Sequence, residues 1–507
     1  MKMIKFILMF VVLFVVPQTS FTQHFQRLHD CDTTSDFGTN IFVLPDGTYL
    51  TFSASLSYTT NRRESIWMNI SADGTTSSNV KRVASDSCNY YQGLNTGEVQ
   101  ELSDGNYLLP YNARSNGKSA LGIIKLNSQF DTVFTRLYTD TNIYNEDISA
   151  CVVMPNGDFV IGGYSAMNGS PMDSALVIRT DSFGQLKWKQ KFKKVPGEEA
   201  CVLSLDVLDS NRILVGLMSI HDVWVSQFDY YGHSPPWFMI LDSLGNVLKD
   251  TFYTTNIYRG GGRIYKDLHG GYYHIGSFDS CYTQDPWDEE NFPEYIAHIN
   301  EDFEIDWVRN FGTWDGHKAI WRVEQLSNGN FQLSGANAVN LDPRLRGWAA
   351  RLDHNGWTIW DNDYTCDEDY SSYLVDFDVK QDGSLILVGA ARNDTVPQWR
   401  GQELWLVSVD SNGCLIPGCA PTIVKPLEQK KEEQLLVYPN PTTGEFTADA
   451  KDEGSGVISD LQGREIKRIH IVKGKNEMSL PVGLASGVYL LQYRTAHGNV
   501  NVRLIKE

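Results

Sequence analysis

One short phrase recurs seven times along the chain at intervals of about 55 residues, and this repetition limits the fold more than any local motif does. Its first half is a turn followed by an alternating apolar run. It reads LPDGTYLTF from Leu44, LSDGNYLLP from Leu102, MPNGDFVIG from Met154 and LDSNRILVG from Leu208. It returns as LHGGYYHIG from Leu268, LSNGNFQLS from Leu326 and KQDGSLILV from Lys380. The turns begin at Asp46, Asp104, Asn156, Asp209, His269, Asn328 and Asp382, with gaps of 58, 52, 53, 60, 59 and 54 residues. Each phrase is followed by more apolar residues, a second Asp/Asn-rich turn and another strand-like run. Those second turns are ISADG, KLNSQF, RTDSFG, ILDSLG, HINEDF, RLDHNG and SVDSNG, starting at Ile70, Lys125, Arg179, Ile240, His298, Arg351 and Ser408.

Each unit therefore reads as two hairpins in series. Asp-Gly and Asn-Gly suit tight turns because Gly, and to a lesser degree Asn or Asp, tolerates positive φ. The flanks alternate and are rich in Tyr, Phe, Val, Ile and Leu, which fits strands rather than helices. A lone four-stranded unit cannot bury both faces, so the units must stack. Radial stacking gives an all-β, seven-bladed β-propeller. The rival, a row of separate sandwiches, is disfavoured because about 55 residues is short for a free-standing sandwich. The seventh unit reaches SVDSNGCLIPGC without writing a fourth strand, whereas residues 24–28, HFQRL, resemble the fourth strands of other units such as Lys187 to Phe192. The N-terminal strand is expected to complete the last blade and so remove an open edge.

The chain has 507 residues, enough for a large core and more than one domain. Lys2 and Lys5 precede an apolar run over 6–16 and small residues at Ser20 to Thr22, so 1–22 reads as a secretory signal peptide. No other apolar run is long enough to span a bilayer. A net charge of −19 argues against nucleic-acid partners and anionic membrane surfaces. Eight cysteines in an exported chain are compatible with disulfides. Cys414 and Cys419 are close enough in sequence to staple the end of the propeller. Cys31, Cys88 and Cys366 stand 15, 16 and 16 residues ahead of their blade turns, so two of the three could pair across a blade boundary. No CxxC pair or His spacing supports zinc.

The repeat domain spans 23–419, and a Pro/Lys/Glu-rich linker covers 420–434. The remainder, 435–507, breaks the blade pattern and reads as a small β-sandwich of short strands with Pro and Gly at its turns. It opens on Tyr438-Pro439-Asn440-Pro441 and Gly444, turns at Asp460-Leu461-Gln462-Gly463-Arg464, and continues through Gly487-Val488-Tyr489 to a basic-hydrophobic end. These four signatures, in this order at the C-terminus, resemble the type A C-terminal sorting domain of the type IX secretion system of Bacteroidetes. The resemblance covers about seventy residues. It implies a partnership with the type IX machinery and export across the outer membrane, ending in release or surface attachment.

A propeller turns loop lengths into a functional argument. Strands a to d of a blade alternate in direction, so a–b and c–d turns share one end of the ring, and b–c loops and d–a crossings share the other. Here the first set are the short turns quoted above. The long insertions, 220–236, 278–294, 336–347 and 391–403, all fall at the opposite end, where ligand contacts are expected. The candidate ligand-binding residues there are Trp287, Trp314, Tyr258, Arg259, His317, Tyr370 and Trp399. Flat aromatics beside carboxylates and Arg suit both sugar rings and protein hot spots. Against this, aromatics near blade ends commonly pack between blades, and Trp188, Trp307, Trp360 and Trp405 sit in strands as core residues.

No resident cofactor or metal is expected. Acidic runs at 285–290 and 361–369 offer hard oxygen ligands for a structural Ca²⁺, but neither matches the twelve-residue Ca²⁺ loop. His221, His233 and His317 lie on different blades. The Gly260-Gly261-Gly262 run is isolated and eases a crossing rather than cradling phosphate. No nucleophile elbow, P-loop or HExxH motif occurs. The favoured reading is a secreted, monomeric propeller that binds an extracellular glycan or protein. A polysaccharide-degrading enzyme with loop carboxylates as acid and base is the alternative.

Overall fold

A computed structural model of the chain describes residues 24–30, 35–57, 62–83, 89–91, 99–115, 118–138, 145–166, 173–194, 199–224, 230–233, 236–253, 258–278, 294–311, 316–339, 344–367, 370–395, 401–416, 419, 435–460, 464–481, 483–495 and 498–506. The leader at 1–22, the linker at 420–434, and Cys31, Cys88 and Cys281 lie outside the described residues. The chain divides into two compact units, Met1–Ile423 and Val424–Glu507. All regular structure among the described residues is β.

The described strands of the first unit form six sheets: four of four strands, one of five, and one of nine in which two copies of the repeat are joined. Numbered along the chain by repeat, the blades occupy 35–83, 89–138, 145–192, 199–252, 258–311, 316–364 and 370–409. Blades 2 and 3 run into each other through one parallel pairing, Asn145 with Ser119. In blade 2, Asn89–Tyr91 and Gln100–Glu101 both pair with Tyr107–Ser115. Blade 7 takes its outer strand from the N-terminus: Phe25–His29 pairs antiparallel with Gln402–Val409, Phe25 opposite Ser408 and His29 opposite Leu404. The expected closing strand is thus in place.

Alternate side chains of a strand point to opposite faces, and here both faces meet a neighbouring blade. In blade 4, Ile213 and Val215 turn towards blade 3 while Leu214 turns towards blade 5. This is why the strands read as nearly continuous apolar runs. Each junction holds its own buried cluster, and the series closes: Phe52 with Tyr107, Leu108 with Phe159, Val160 with Trp237, Phe238 with Ile264, Ile275 with Trp348, Ala349 with Trp405, and Ile386 with Ile41. Trp360 and Trp405 are fully buried, and Trp188 and Trp307 pack against inter-blade clusters, as their strand positions suggest.

The c–d turns repeat one construction in every blade. The first side chain of the turn accepts a hydrogen bond from the amide four residues on: Ser71 from Thr75, Asn127 from Asp131, Asp181 from Gln185, Asp242 from Asn246, Asn300 from Glu304, Asp353 from Trp357 and Asp410 from Cys414. The residue between has positive φ and is Gly in five blades and Phe130 or Phe303 in the others. The preceding blade then lies on the turn. Trp188 Nε1 donates to Ser243 O at 3.0 Å, Tyr138 OH to Gly184 O at 2.9 Å, Trp360 Nε1 to Ser411 O at 3.1 Å and Tyr364 OH to Gly413 O at 2.8 Å. Cys414 and Cys419 are joined by a disulfide just beyond the last of these turns.

Strand a carries a bulge in at least six blades, for instance between Leu374 and Asp376 opposite Gly389. A Cβ on Gly389 would stand 1.9 Å from the carbonyl oxygen of Tyr373, so only glycine allows the bulged strand this close. Gly262 has a related role, because a Cβ there would fall on the buried His274 imidazole. The segment expected as a loop at 220–236 is partly regular: strand Arg212–Trp224 extends past the blade and pairs with Tyr230–His233, bringing His221 opposite His233.

The second unit contains a three-stranded sheet (Leu435–Tyr438, Glu445–Ala450, Gly474–Ser479) and a four-stranded sheet (Glu465–Ile471, Gly454–Ser459, Gly487–Thr495, Gly498–Lys506). They enclose one core built from Phe446, Ala448, Ile458, Ile471, Leu491, Tyr493 and Leu504.

Candidate functional site

The a strands start at the long-loop end of the ring, and four of the candidate ligand residues stand at or beside those starts. Tyr258 and Arg259 open strand a of blade 5, His317 is second in strand a of blade 6, and Tyr370 opens strand a of blade 7. The fold thus brings them to the same end of three successive blades. The side chains of Tyr258, Arg259 and His317, and all of Trp287, Trp314 and Trp399, lie outside the described residues. Tyr370 is half-buried against the cluster between blades 6 and 7, and its hydroxyl accepts from Asn393 Nδ2 at 3.4 Å. Its ring therefore has a packing role in addition to any contact it makes.

Sequence reasoning missed the ionisable groups at this end, because none belongs to a motif. Glu294 opens strand c of blade 5, and its Oε2 accepts from the backbone amide of Ile320 in blade 6 at 2.6 Å. Arg263 donates across the same junction to the carbonyls of Ile320 and Trp321. Burial pushes the Glu294 carboxyl up to about 7, against the pull of the Arg263 charge and the Ile320 amide. A carboxylic acid poised there can hold or release a proton near neutrality. The neighbouring groups are already matched. Lys318 Nζ meets Asp361 at 2.5 Å, and Trp348 Nε1 donates to the same carboxylate at 2.8 Å. Asn337 donates to both oxygens of Asp363. Burial, reinforced by Asp30 and Asp36, also raises Glu403 in blade 7.

The inner strands are stitched to one another around the axis. Arg322 of blade 6 reaches Asp376 of blade 7 at 3.3 Å, and Asp376 accepts from the Ile41 amide of blade 1 at 3.0 Å. Ser204 of blade 4 accepts from the Ile264 amide of blade 5 at 2.8 Å. Among the described residues, no group of three or more His, Cys, Asp or Glu side chains could hold a metal ion. In the acidic run at 361–369, Asp361 and Asp363 are engaged by Lys318, Trp348 and Asn337; the run at 285–290 lies outside the described residues. Cys366 carries a free thiol, while Cys31 and Cys88, the other two of the three equivalent cysteines, lie outside the described residues. No helix among the described residues is long and apolar enough to cross a membrane.

In the second unit the sequence motif performs a visible task. Asn440 Oδ1 accepts from the Ile505 amide at 2.8 Å and its Nδ2 donates to Arg503 O, while the Thr442 amide donates to Ile505 O at 2.8 Å. The segment Tyr438-Pro439-Asn440-Pro441 therefore fastens the start of the unit to its last strand. Gly444, with φ +134°, presents its carbonyl to the Leu480 amide. Asp460 caps the turn that ends at Arg464, accepting from its amide at 2.9 Å; Gly463 lies outside the described residues. Gly487 opens the strand in which Tyr489 is buried, with its hydroxyl donating to Ala485 O at 2.7 Å. Tyr438 itself is partly exposed.

Residues 436–507 match the family model of the secretion system C-terminal sorting domain. This tail carries the chain across the outer membrane by the type IX route, to the cell surface or the extracellular space. No curated protein is similar to the chain in sequence. Among solved structures, the chain is similar to the β-propeller domain of the Trilobed protease from Pyrococcus furiosus, with a TM-score of 0.42 and 9% identity over 77% of this chain and 98% of that one. It is also similar to a Pyrococcus horikoshii acylaminoacyl peptidase (TM-score 0.40, 9% identity, 82% of this chain, 58% of that one). A third is the Penicillium chrysogenum alpha-L-arabinanase complexed with arabinobiose (TM-score 0.36, 10% identity, 75% of this chain, 94% of that one).

Proposed function

We propose that this chain, delivered outside the outer membrane by its sorting tail, works there as a monomeric binding protein. On this reading residues 1–22 are removed as a signal peptide, 23–419 form the binding module, 420–434 act as a linker and 435–507 serve as the export address. The ligand is an extracellular glycan or protein, taken by the long-loop end through Trp287, Trp314, Tyr258, Arg259, His317, Tyr370 and Trp399. The observation that carries the reading is the unequal use of the two ends. Short turns saturated by their own hydrogen bonds occupy one, whereas the blade-specific insertions with their aromatic and charged residues leave the other.

A glycan array and a polysaccharide-hydrolysis screen test this on the full chain beside a Trp287→Ala, Trp314→Ala variant. Binding without turnover that is lost in the variant supports the proposal; binding that survives the double change rejects this placement of the site. A second reading, a glycan-degrading enzyme, is favoured by one observation, the Glu294 carboxyl held near neutrality beside Arg263. Hydrolysis in the screen that disappears in Glu294→Gln would select it.

A further inference from the structure

We propose a second ligand site at the opposite end of the ring, a glycan-stacking platform formed by Trp357 at the junction of blades 5 and 6. It does not depend on the long-loop reading. Of the tryptophans whose side chains are described, only Trp357 is exposed, at 47%. Its indole is nevertheless held from beneath. The Arg309 guanidinium carbon lies 3.9 Å from the Trp357 ring centre and 5.1 Å from that of Trp307. His298 in turn stacks on Trp307 at 5.9 Å. The turn is fixed as well, because Asp353 Oδ1 accepts from the amides of both Asn355 and Trp357 at 2.9 Å. One indole face therefore rests on a stacked column, and the exposed area belongs to the other.

The fold does not require an aromatic residue here. The equivalent positions in the other six blades are Thr75, Asp131, Gln185, Asn246, Glu304 and Cys414, and their turns close in the same way. An exposed, immobilised indole at the one place where six repeats put smaller or polar residues is a feature added to the scaffold. Its surroundings select the ligand class. A protein hot spot needs an apolar ring that excludes water, but this turn supplies Asp353, His354 and Asn355. His269 of blade 5 adds its ring 5.6 Å from that of His354. A flat apolar face edged by hydrogen-bonding groups matches a sugar ring, whose C–H face packs on the indole while its hydroxyls reach the rim. The net charge of −19 makes a neutral polysaccharide the fitting occupant rather than a polyanionic one.

The test uses the full chain in affinity electrophoresis through laminarin, galactomannan and arabinoxylan, with tryptophan fluorescence recorded in parallel. At least one polymer should retard the wild-type chain. Trp357→Ala should weaken that binding by about tenfold, the loss expected of one stacking contact, while Trp357→Tyr stays within about threefold. Leu244→Ala, at an exposed position in the matching turn of blade 4, should leave it unchanged. The Trp287→Ala, Trp314→Ala variant should retain the component that depends on Trp357, which separates the two ends. Equal retardation of wild type and Trp357→Ala overturns the proposal, as does an unretarded wild type. Loss of a protein partner, rather than of a glycan, on Trp357→Ala overturns it too.

Discussion

The two ends of the ring are made by the same strands, yet they obey different rules. At the short-turn end every blade repeats one arrangement: a capping side chain, a positive-φ residue and a covering residue from the blade before. Among the described residues at the other end the arrangements differ from blade to blade, apart from one Trp–Asp–Lys cluster shared by blades 4 and 6. Blade 3 buries Glu146 with Lys189, blade 5 sets Glu294 beside Arg263, blade 6 pairs Lys318 with Asp361, and blade 7 links Ser371 and Arg392 through Asp394. Closure of a ring must be satisfied at each junction, so the end that carries the latches keeps one solution. The end relieved of that duty is where side chains diverge. Trp357 is the exception that the first rule exposes.

If the latches carry closure, breaking one should cost more than any change at the opposite end. Trp360 is fully buried, and its Nε1 bonds Ser411 O in the next blade. Trp360→Ala should remove about 3–5 kcal/mol from the unfolding free energy, read from denaturant midpoints at constant slope. A loss under about 1 kcal/mol would mean that the junction collapses around the gap and that the latch is not what holds the blades. Glycines at the same end give a finer comparison. Gly413 has φ +76°, and a Cβ there would stand 2.6 Å from Asn362 and 2.8 Å from Trp360. Gly105 has nearly the same φ, +72°, with nothing within 4 Å. Gly105→Ala should cost only the backbone strain, about 1–2 kcal/mol, and Gly413→Ala about 1 kcal/mol more. Equal costs would show that the covering blade yields freely.

Much of this was legible in the chain because repetition supplies its own alignment. Seven turns in one register place the strands, and the missing fourth strand after Ser408 points to residues 24–28 as its replacement. The tail was readable because Asn440, Thr442 and Gly444 each have one geometric task in a small sandwich. What stayed hidden depends on partners remote in sequence. Asp376 meets the Ile41 amide across 335 residues, and nothing in either neighbourhood announces it. Alternation tells which face of a strand a residue occupies but not whether the next blade covers it. Trp360 reads as a core residue from its strand position, whereas nothing in the sequence says that Trp357, three residues earlier, is exposed. The long-loop residues have no counterpart in other blades, so no pattern ranks them.

The divergent end can be probed through a strongly shifted carboxyl, that of Glu294. Glu294 ordinarily titrates near 4.5 and is raised to about 7 in the folded chain. A raised carboxyl binds its proton more tightly in the folded state, so its contribution to stability is complete below pH 4.5 and is lost as pH climbs through 7. Glu294→Gln keeps an acceptor for the Ile320 amide but carries no charge. The two proteins should be equally stable at acid pH, and the variant should gain on the wild type between pH 4.5 and 7. The shift alone sets a ceiling of about 3 kcal/mol, and water reaching the partly buried group reduces the expected gain to the order of 1 kcal/mol. Denaturant midpoints of both proteins across this range decide the matter. A gap that moves in favour of the wild type as pH rises would show that attraction to Arg263 outweighs burial. Glu294 would then be one more structural tie, and the contrast between the two ends would narrow to the loops alone.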